Sequence, residues 1–260
     1  TVLRVFHLAP VGGIATVNQR DFERLPGLFV PGQRLVDRRN PALPYHVTID
    51  SLGFRGTTEF PRTKGAGEIR IVLLGDSFVY GDFVDDNETF PSQLERRLQA
   101  RCGSNVHIIN AGLGGSSIET ASAMADRVAP LGIDVAVLVF SENDVSDLAN
   151  PIWDQLASNR AAKSRFPLSI LYPLIRESAT WNLALAVQGK MRNQRVSAAI
   201  APPSTAKALG PDSAMLSLRH EYHNRLIQFR DRLAQVNVPV VFAIFPSHLT
   251  VYGMNSGEQV

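Results

Sequence analysis

The chain has 260 residues, 45% of them hydrophobic and 19% charged, with a net charge of +2 and a single cysteine. Such a length suits one α/β domain with an arm or insertion better than two equal domains, and the balance excludes a mainly disordered chain. With no long Lys/Arg stripe there is no footprint for nucleic acid, and the lone Cys102 excludes an intrachain disulfide or a multi-cysteine zinc site.

Residues 1–68 are rich in Pro, Gly and Arg and show short apolar pieces without a sustained helical period, which predicts an extended arm wrapped on a core. At Ile69 the texture changes. "IRIVLL" is a continuous aliphatic run of strand length, as in a strand buried on both faces of a parallel sheet, and "VHIINA", "DVAVLVF" and "VPVVFAIF" repeat the pattern. Between the first two runs, Phe90, Leu94 and Leu98 recur at i, i+4 and i+8, the apolar stripe of a helix. Between the second and third, Ser116 and Glu119 stand at capping-box spacing. The resulting βαβαβ order predicts a doubly wound sheet with helices on both faces. Residues 151–215 form a long insertion, and a helix from about Leu216 to Val236 leads into the fourth strand. No apolar stretch reaches the roughly 18 residues of a membrane span. "TVLRVFHLAP" at the start reads as the trailing edge of an upstream segment.

In an open parallel sheet, chemistry collects in the loops past the carboxyl ends of the strands. Three such loops are "GDSFVYGD", "NAGLGGSS" and "SENDVSD". They bring Ser77, then Gly115 with Asn110, then Asn143 to one edge. A serine hydroxyl becomes a nucleophile when a base takes its proton, and acyl transfer also needs donors aimed at the developing oxyanion. The backbone N–H groups of Ser77 and Gly115 and the side-chain amide of Asn143 are three candidate donors. Each feature also has a plain structural reading: Asp76 or Ser77 as a helix cap, Gly112, Gly114 and Gly115 as a tight turn, Asn143 as an Asx-turn. Two other motifs fail in detail. An α/β-hydrolase elbow wants Gly where Val79 stands. A dinucleotide fingerprint wants its ribose-binding acid at the end of a strand, and Asp134 precedes one.

These residues resemble the conserved blocks of the GDSL or SGNH hydrolases: "LLGDSFVYG" is similar to block I, "INAGLGGSS" to block II and "FSEND" to block III. The resemblance implies a three-layer, flavodoxin-like doubly wound α/β sheet and an esterase or acylhydrolase without metal or other cofactor. It implies Ser77 as nucleophile, Gly115 and Asn143 as oxyanion donors, and Asp76, Asn110 and Asp144 as residues that shape the site. The arm sequence "GFRG" is similar to what precedes block I in membrane-anchored or exported bacterial members, which implies an extracytoplasmic location and an upstream anchor. Block III here has Ser141 where the family has Gly. Family members also carry Asp-x-x-His near the C-terminus, and none follows the fourth strand, so the expectation is that the catalytic histidine lies beyond Val260.

Within the chain, His248 is the best candidate base, because "FPSH" ends the fourth strand at the edge that carries Ser77. His107 reads as structural, and His220 and His223, with Glu221, as a solvated helix face. His46 has Asp50 four residues on, too far along a strand for direct contact unless the chain turns. Trp181 and Leu185 in the insertion fit either the core of a helical subdomain or a lid over an acyl pocket. The substrates expected are short-chain acyl, O-acetyl-carbohydrate or lipid esters. The alternatives are a carbohydrate- or lipid-binding module that has lost its base, and an O-acetyltransferase using the same serine.

Overall fold

The computed structural model describes residues 24–37, 43–141, 143–149 and 211–245. Four of its strands form a parallel sheet: β3 (Ile69–Leu74), β4 (Val106–Asn110), β5 (Val135–Phe140) and β6 (Val240–Ile244), in the spatial order β4-β3-β5-β6. β3 therefore lies between β4 and β5, with Leu73 opposite Asn110 on one side and Val137 on the other. The four aliphatic runs of the sequence are these four strands, and the chain has a mixed α/β fold.

Strand alternation sorts the side chains into two clusters. Val72, Leu74, Ile109, Ala136 and Leu138 join a core with Ile118, Ala121, Met124 and Val128 of helix α3 (Ile118–Val128) and with Tyr222, Phe229 and Leu233 of helix α5 (Pro211–Gln235). Leu73, Ile108 and Val139 join Val79 in a second cluster, against which Leu94 and Leu98 of helix α2 (Phe90–Cys102) pack. Two consecutive residues of β3 thus serve different cores, which is why that run is apolar throughout rather than alternating. Leu94 and Leu98 are the predicted stripe, while Phe90 at its start is 37% exposed. Helix α5 begins at Pro211, about a turn and a half before the expected Leu216.

The arm is not simply extended. Strands β1 (Arg34–Asp37) and β2 (Tyr45–Thr48) pair antiparallel, Leu35 opposite Val47, and Leu28, Phe29, Tyr45, Val47, Ile49, Leu52, Phe54 and Phe60 enter the main core. Two arginines fasten this layer. Arg70, fully buried in β3, donates to the carbonyls of Pro61, Arg62 and Leu131 and pairs with Glu68 at 2.6 Å. Arg55 uses all five of its N–H groups: Nε on Asp86, and the other four on the carbonyls of His46, Tyr80, Gly81 and Val84. Asp134, considered above as a ribose acid, instead pairs with Lys64 and accepts from the backbone N–H of Arg70.

The expected Ser116/Glu119 capping box does not form. The N-cap of α3 is Ser117, which makes no side-chain capping bond, and Glu119 is paired with Arg225 of α5. Trp181, Leu185, His248 and nearly all of the 151–215 insertion lie outside the described residues. Among the described residues no helix is long and apolar enough to cross a membrane.

Candidate active site

The loop after β3 turns at once into a short helix, α1 (Ser77–Tyr80). Its N-cap is Asp76, whose Oδ1 accepts the backbone N–H of Phe78 at 2.9 Å. The capping role open in the sequence therefore falls to Asp76, and Ser77 is the first residue inside the helix. The Ser77 side chain is half-buried, and its hydroxyl makes no hydrogen bond among the described residues. A helical serine whose hydroxyl neither caps nor bonds back to the preceding turn is left free for other chemistry.

The loop after β4 runs against it. A Cβ built on Gly114 would lie 3.9 Å from the Cβ of Ser77 and 3.9 Å from Oδ2 of Asp82. Gly112 is packed so tightly that a Cβ there would meet the Tyr80 nitrogen at 2.3 Å, so only glycine lets this loop approach α1. Gly115 has φ +73, the left-handed conformation glycine adopts without penalty, and open space where a Cβ would stand. Its backbone N–H, like that of Ser77, has no partner among the described residues. Asn110 bridges the turn: its amide donates to Tyr80 O at 3.3 Å and its oxygen accepts from Gly112 N–H at 3.1 Å.

The loop after β5 leads into helix α4 (Asp144–Asp147), with Asn143 exposed at its start. Asn143 donates one amide hydrogen to Asp147 at 2.7 Å, and its oxygen lies 2.9 Å from the Ser141 hydroxyl. The second amide hydrogen has no partner among the described residues. Asp144 is buried beneath, near Ser141 and the Tyr222 hydroxyl of α5. Burial lifts its carboxyl to about 6, with the neighbouring Asp76 charge adding to the rise and the Ser141 hydrogen bonds opposing it.

Three serines bind these loops into one unit, and the sequence reading assigned none of them this role. Ser116 Oγ donates to Gly75 O at 2.6 Å, tying the second loop to the first. Ser117 Oγ donates to Asp144 O at 2.7 Å, tying the second to the third. Ser141 Oγ reaches Asp76 Oδ2 at 2.6 Å, tying the third to the first. Ser141 also touches Asn143 Oδ1 and Asp144 Oδ1, both at 2.9 Å. One hydroxyl hydrogen serves one acceptor at a time, so these three oxygens share a single donor. The signal that would have found Ser141 is its departure from the glycine of block III.

No described histidine hydrogen-bonds to Ser77. His46 finds a carboxylate, but it is Asp85 at 3.0 Å from Nδ1 rather than Asp50. Asp50 turns inward to accept the backbone N–H groups of Leu52 and Phe54. His107 stacks on Phe60 between Glu68 and Glu95, a structural place, and His220 and His223 are exposed on α5. Among the described residues no group of acidic, histidine or cysteine side chains is arranged to hold a metal.

No protein-family model and no curated protein matches the chain. Solved structures do: AlinE4 matches at 19% identity, over 74% of this chain and 94% of that one, with a TM-score of 0.29. Two mutants of the same esterase match over the same shares at 20% and 19% identity, each with a TM-score of 0.29. The solved structures to which this chain is similar thus include an esterase of the SGNH-hydrolase family.

Proposed function

We propose that the chain is a serine hydrolase of carboxylic esters of the SGNH type, its parallel sheet the centre of a three-layer, doubly wound, flavodoxin-like domain. The observation that carries this reading is that, among the described residues, the half-buried Ser77 hydroxyl and the N–H groups of Ser77 and Gly115 have no partner, on loops tied together at one sheet edge.

In this reaction Ser77 Oγ attacks the ester carbonyl carbon while its proton passes to a base, for which His248 is the candidate inside the chain. The carbonyl oxygen becomes an oxyanion that accepts from the N–H groups of Ser77 and Gly115 and from the free amide hydrogen of Asn143. The C–O bond to the alcohol then breaks and the alcohol leaves with the proton. Water then attacks the acyl carbon while giving a proton to the same base, the bond to Ser77 Oγ breaks, the base returns the proton to that Oγ, and the carboxylic acid leaves. Asp76, Asn110 and Asp144 act by holding the loops in place. The substrate is an ester of a small molecule, carbohydrate or lipid, with no cofactor and no nucleic acid, and the place of action is extracytoplasmic, beyond an upstream anchor.

Treatment with a fluorophosphonate reagent, followed by peptide mapping, tests the reading. Labelling at Ser77, together with p-nitrophenyl ester hydrolysis that Ser77→Ala abolishes, is the expected result. Inertness of Ser77 in the native chain favours the binding module, and transfer of the acyl group to a sugar in preference to water favours the transferase.

A further inference from the structure

Helix α1 is a single turn, and one turn of helix does not hold itself. At its N-terminal end Asp76 caps it, and Ser141 holds Asp76. At its C-terminal end the support comes from the arm. Nη1 of Arg55 donates to Tyr80 O at 3.1 Å and to Gly81 O at 2.5 Å, the carbonyls at which the turn ends. Asn110 of the second loop donates to the same Tyr80 O, so one carbonyl joins arm, helix and loop. The guanidinium carbon also lies 5.1 Å from the centre of the Tyr80 ring and 5.4 Å from that of Tyr45 on the arm. Gly81 makes room for it, since a Cβ there would stand 3.2 Å from Nη1. Between the cap and this clamp, Ser77 O accepts the N–H groups of Gly81 at 2.8 Å and Asp82 at 3.1 Å.

Carbonyls at a helix end need donors from outside the helix, and here a buried guanidinium supplies them with both of its Nη1 hydrogens. The same group is fixed from its other side by Asp86 at 3.1 Å, His46 O at 2.9 Å and Val84 O at 2.8 Å, so it cannot follow a shift of the helix without breaking bonds of its own. We propose that Arg55 is a positioning residue of the Ser77 centre: it holds the Ser77 helix in register with the second loop, so that Ser77 Oγ and the N–H of Gly115 address one carbonyl group. The role rests on Ser77 being the nucleophile. Arg127 provides the contrast. It also fastens the arm, through the carbonyls of Leu25, Pro26 and Gly27, but from the last turn of α3, the end away from the second loop.

Turnover of a p-nitrophenyl ester and amide exchange test the clamp, both in protein that circular dichroism shows to be folded. Arg55→Ala lowers kcat about a hundredfold and leaves KM within about threefold, the mark of a misplaced reacting group rather than a lost binding contact. Deuterium exchange quickens by a larger factor at the Gly81 and Asp82 amides than at the β3 amides, which report global opening. Arg127→Ala lowers stability and leaves kcat within about twofold. Where Arg55→Ala does not fold, Arg55→Lys, which keeps a cation beside Asp86 and loses the fork, carries the same measurements. Native kcat in a folded Arg55 variant, equal quickening at α1 and β3, a comparable loss of kcat in Arg127→Ala, or failure of both Arg55 variants to fold overturns the proposal. Hydrolysis that survives Ser77→Ala overturns the nucleophile reading instead, and amide exchange then decides alone whether Arg55 holds this helix.

Discussion

The Ser141 hydroxyl stands 2.6 Å from the Asp76 carboxylate, so the residue that caps the Ser77 helix is held by the strand end that carries Asn143. Ser141 is 2% exposed and has two further acceptor oxygens beside it, on Asn143 and Asp144. Replacing it with alanine leaves buried carboxylate oxygens without their shared donor. The expected cost is about 1–3 kcal/mol in denaturant unfolding. Fluorophosphonate labelling of Ser77 should slow as well, since its cap loses its outer tether. A Ser141→Ala protein as stable as the native chain and labelled at the same rate would show that the contact carries nothing.

Burial raises the Asp144 carboxyl to about 6 and the Asp50 carboxyl to about 7, both from 3.8. Each therefore keeps, in the folded chain, a proton that the unfolded chain releases near pH 4. The stability tied to that proton is full below about pH 4 and is lost as pH rises through about 6 for Asp144 and about 7 for Asp50. Asp50→Asn preserves the oxygen that accepts from Leu52 and Phe54 while removing the titration. Its stability relative to the native chain should rise between about pH 4 and pH 8 by roughly 4 kcal/mol. Parallel curves of unfolding free energy against pH for the two proteins would contradict the assignment.

Arg55 has no unused donor, and its side chain is 1% exposed beside Asp86. Lysine has three donors on a single nitrogen and cannot reproduce the planar fork, so Arg55→Lys is not conservative here. Both Arg55→Lys and Arg55→Ala strand the carbonyls of Tyr80, Gly81 and Val84, just past α1. The expected destabilisation for alanine is about 3–5 kcal/mol, because Asp86 is left buried without its partner. Thermal unfolding measures this directly, and a lysine variant with native stability would refute the five-donor account.

The glycines of the second loop should respond differently to the same change. Gly112→Ala drives a Cβ to 2.3 Å from backbone and must displace α1, whereas Gly115→Ala meets nothing within 4 Å. The Gly115 variant pays only for its positive φ, about 1–2 kcal/mol. Gly112→Ala should therefore lose more stability in chemical denaturation, and equal losses would argue against the packing described.

The parallel sheet was legible because its strands are unbroken aliphatic runs, a pattern that burial on both faces demands. The positions of Ser77, Gly115 and Asn143 at one edge followed from that topology alone. What stayed hidden depends on partners far apart in the chain. "RLVD" and "YHVT" are too short and too polar to announce a hairpin, yet Tyr45 and Val47 on one side of it are core. The only carboxylate near His46 in sequence is Asp50, set too far along a strand for contact, while folding presents Asp85. The capping box at Ser116 and Glu119 had the right spacing, but both side chains found tertiary partners, Gly75 O and Arg225, that displaced the local one. Asp76 rather than Ser77 took the cap because the helix begins at Ser77 itself, one residue earlier than a Ser77 cap would require.

The reach of Arg55 also sets an order of assembly during synthesis. Its furthest partner, Asp86, lies 31 residues downstream, a distance a ribosome covers in roughly 2–6 s. β6 must pair with β5 across a gap from Ala136 to Val240, several times that wait. The arm and the Ser77 loop can thus close on each other while the chain is still being made, and β6, which ends at Ile244, is the last of the four described strands to arrive.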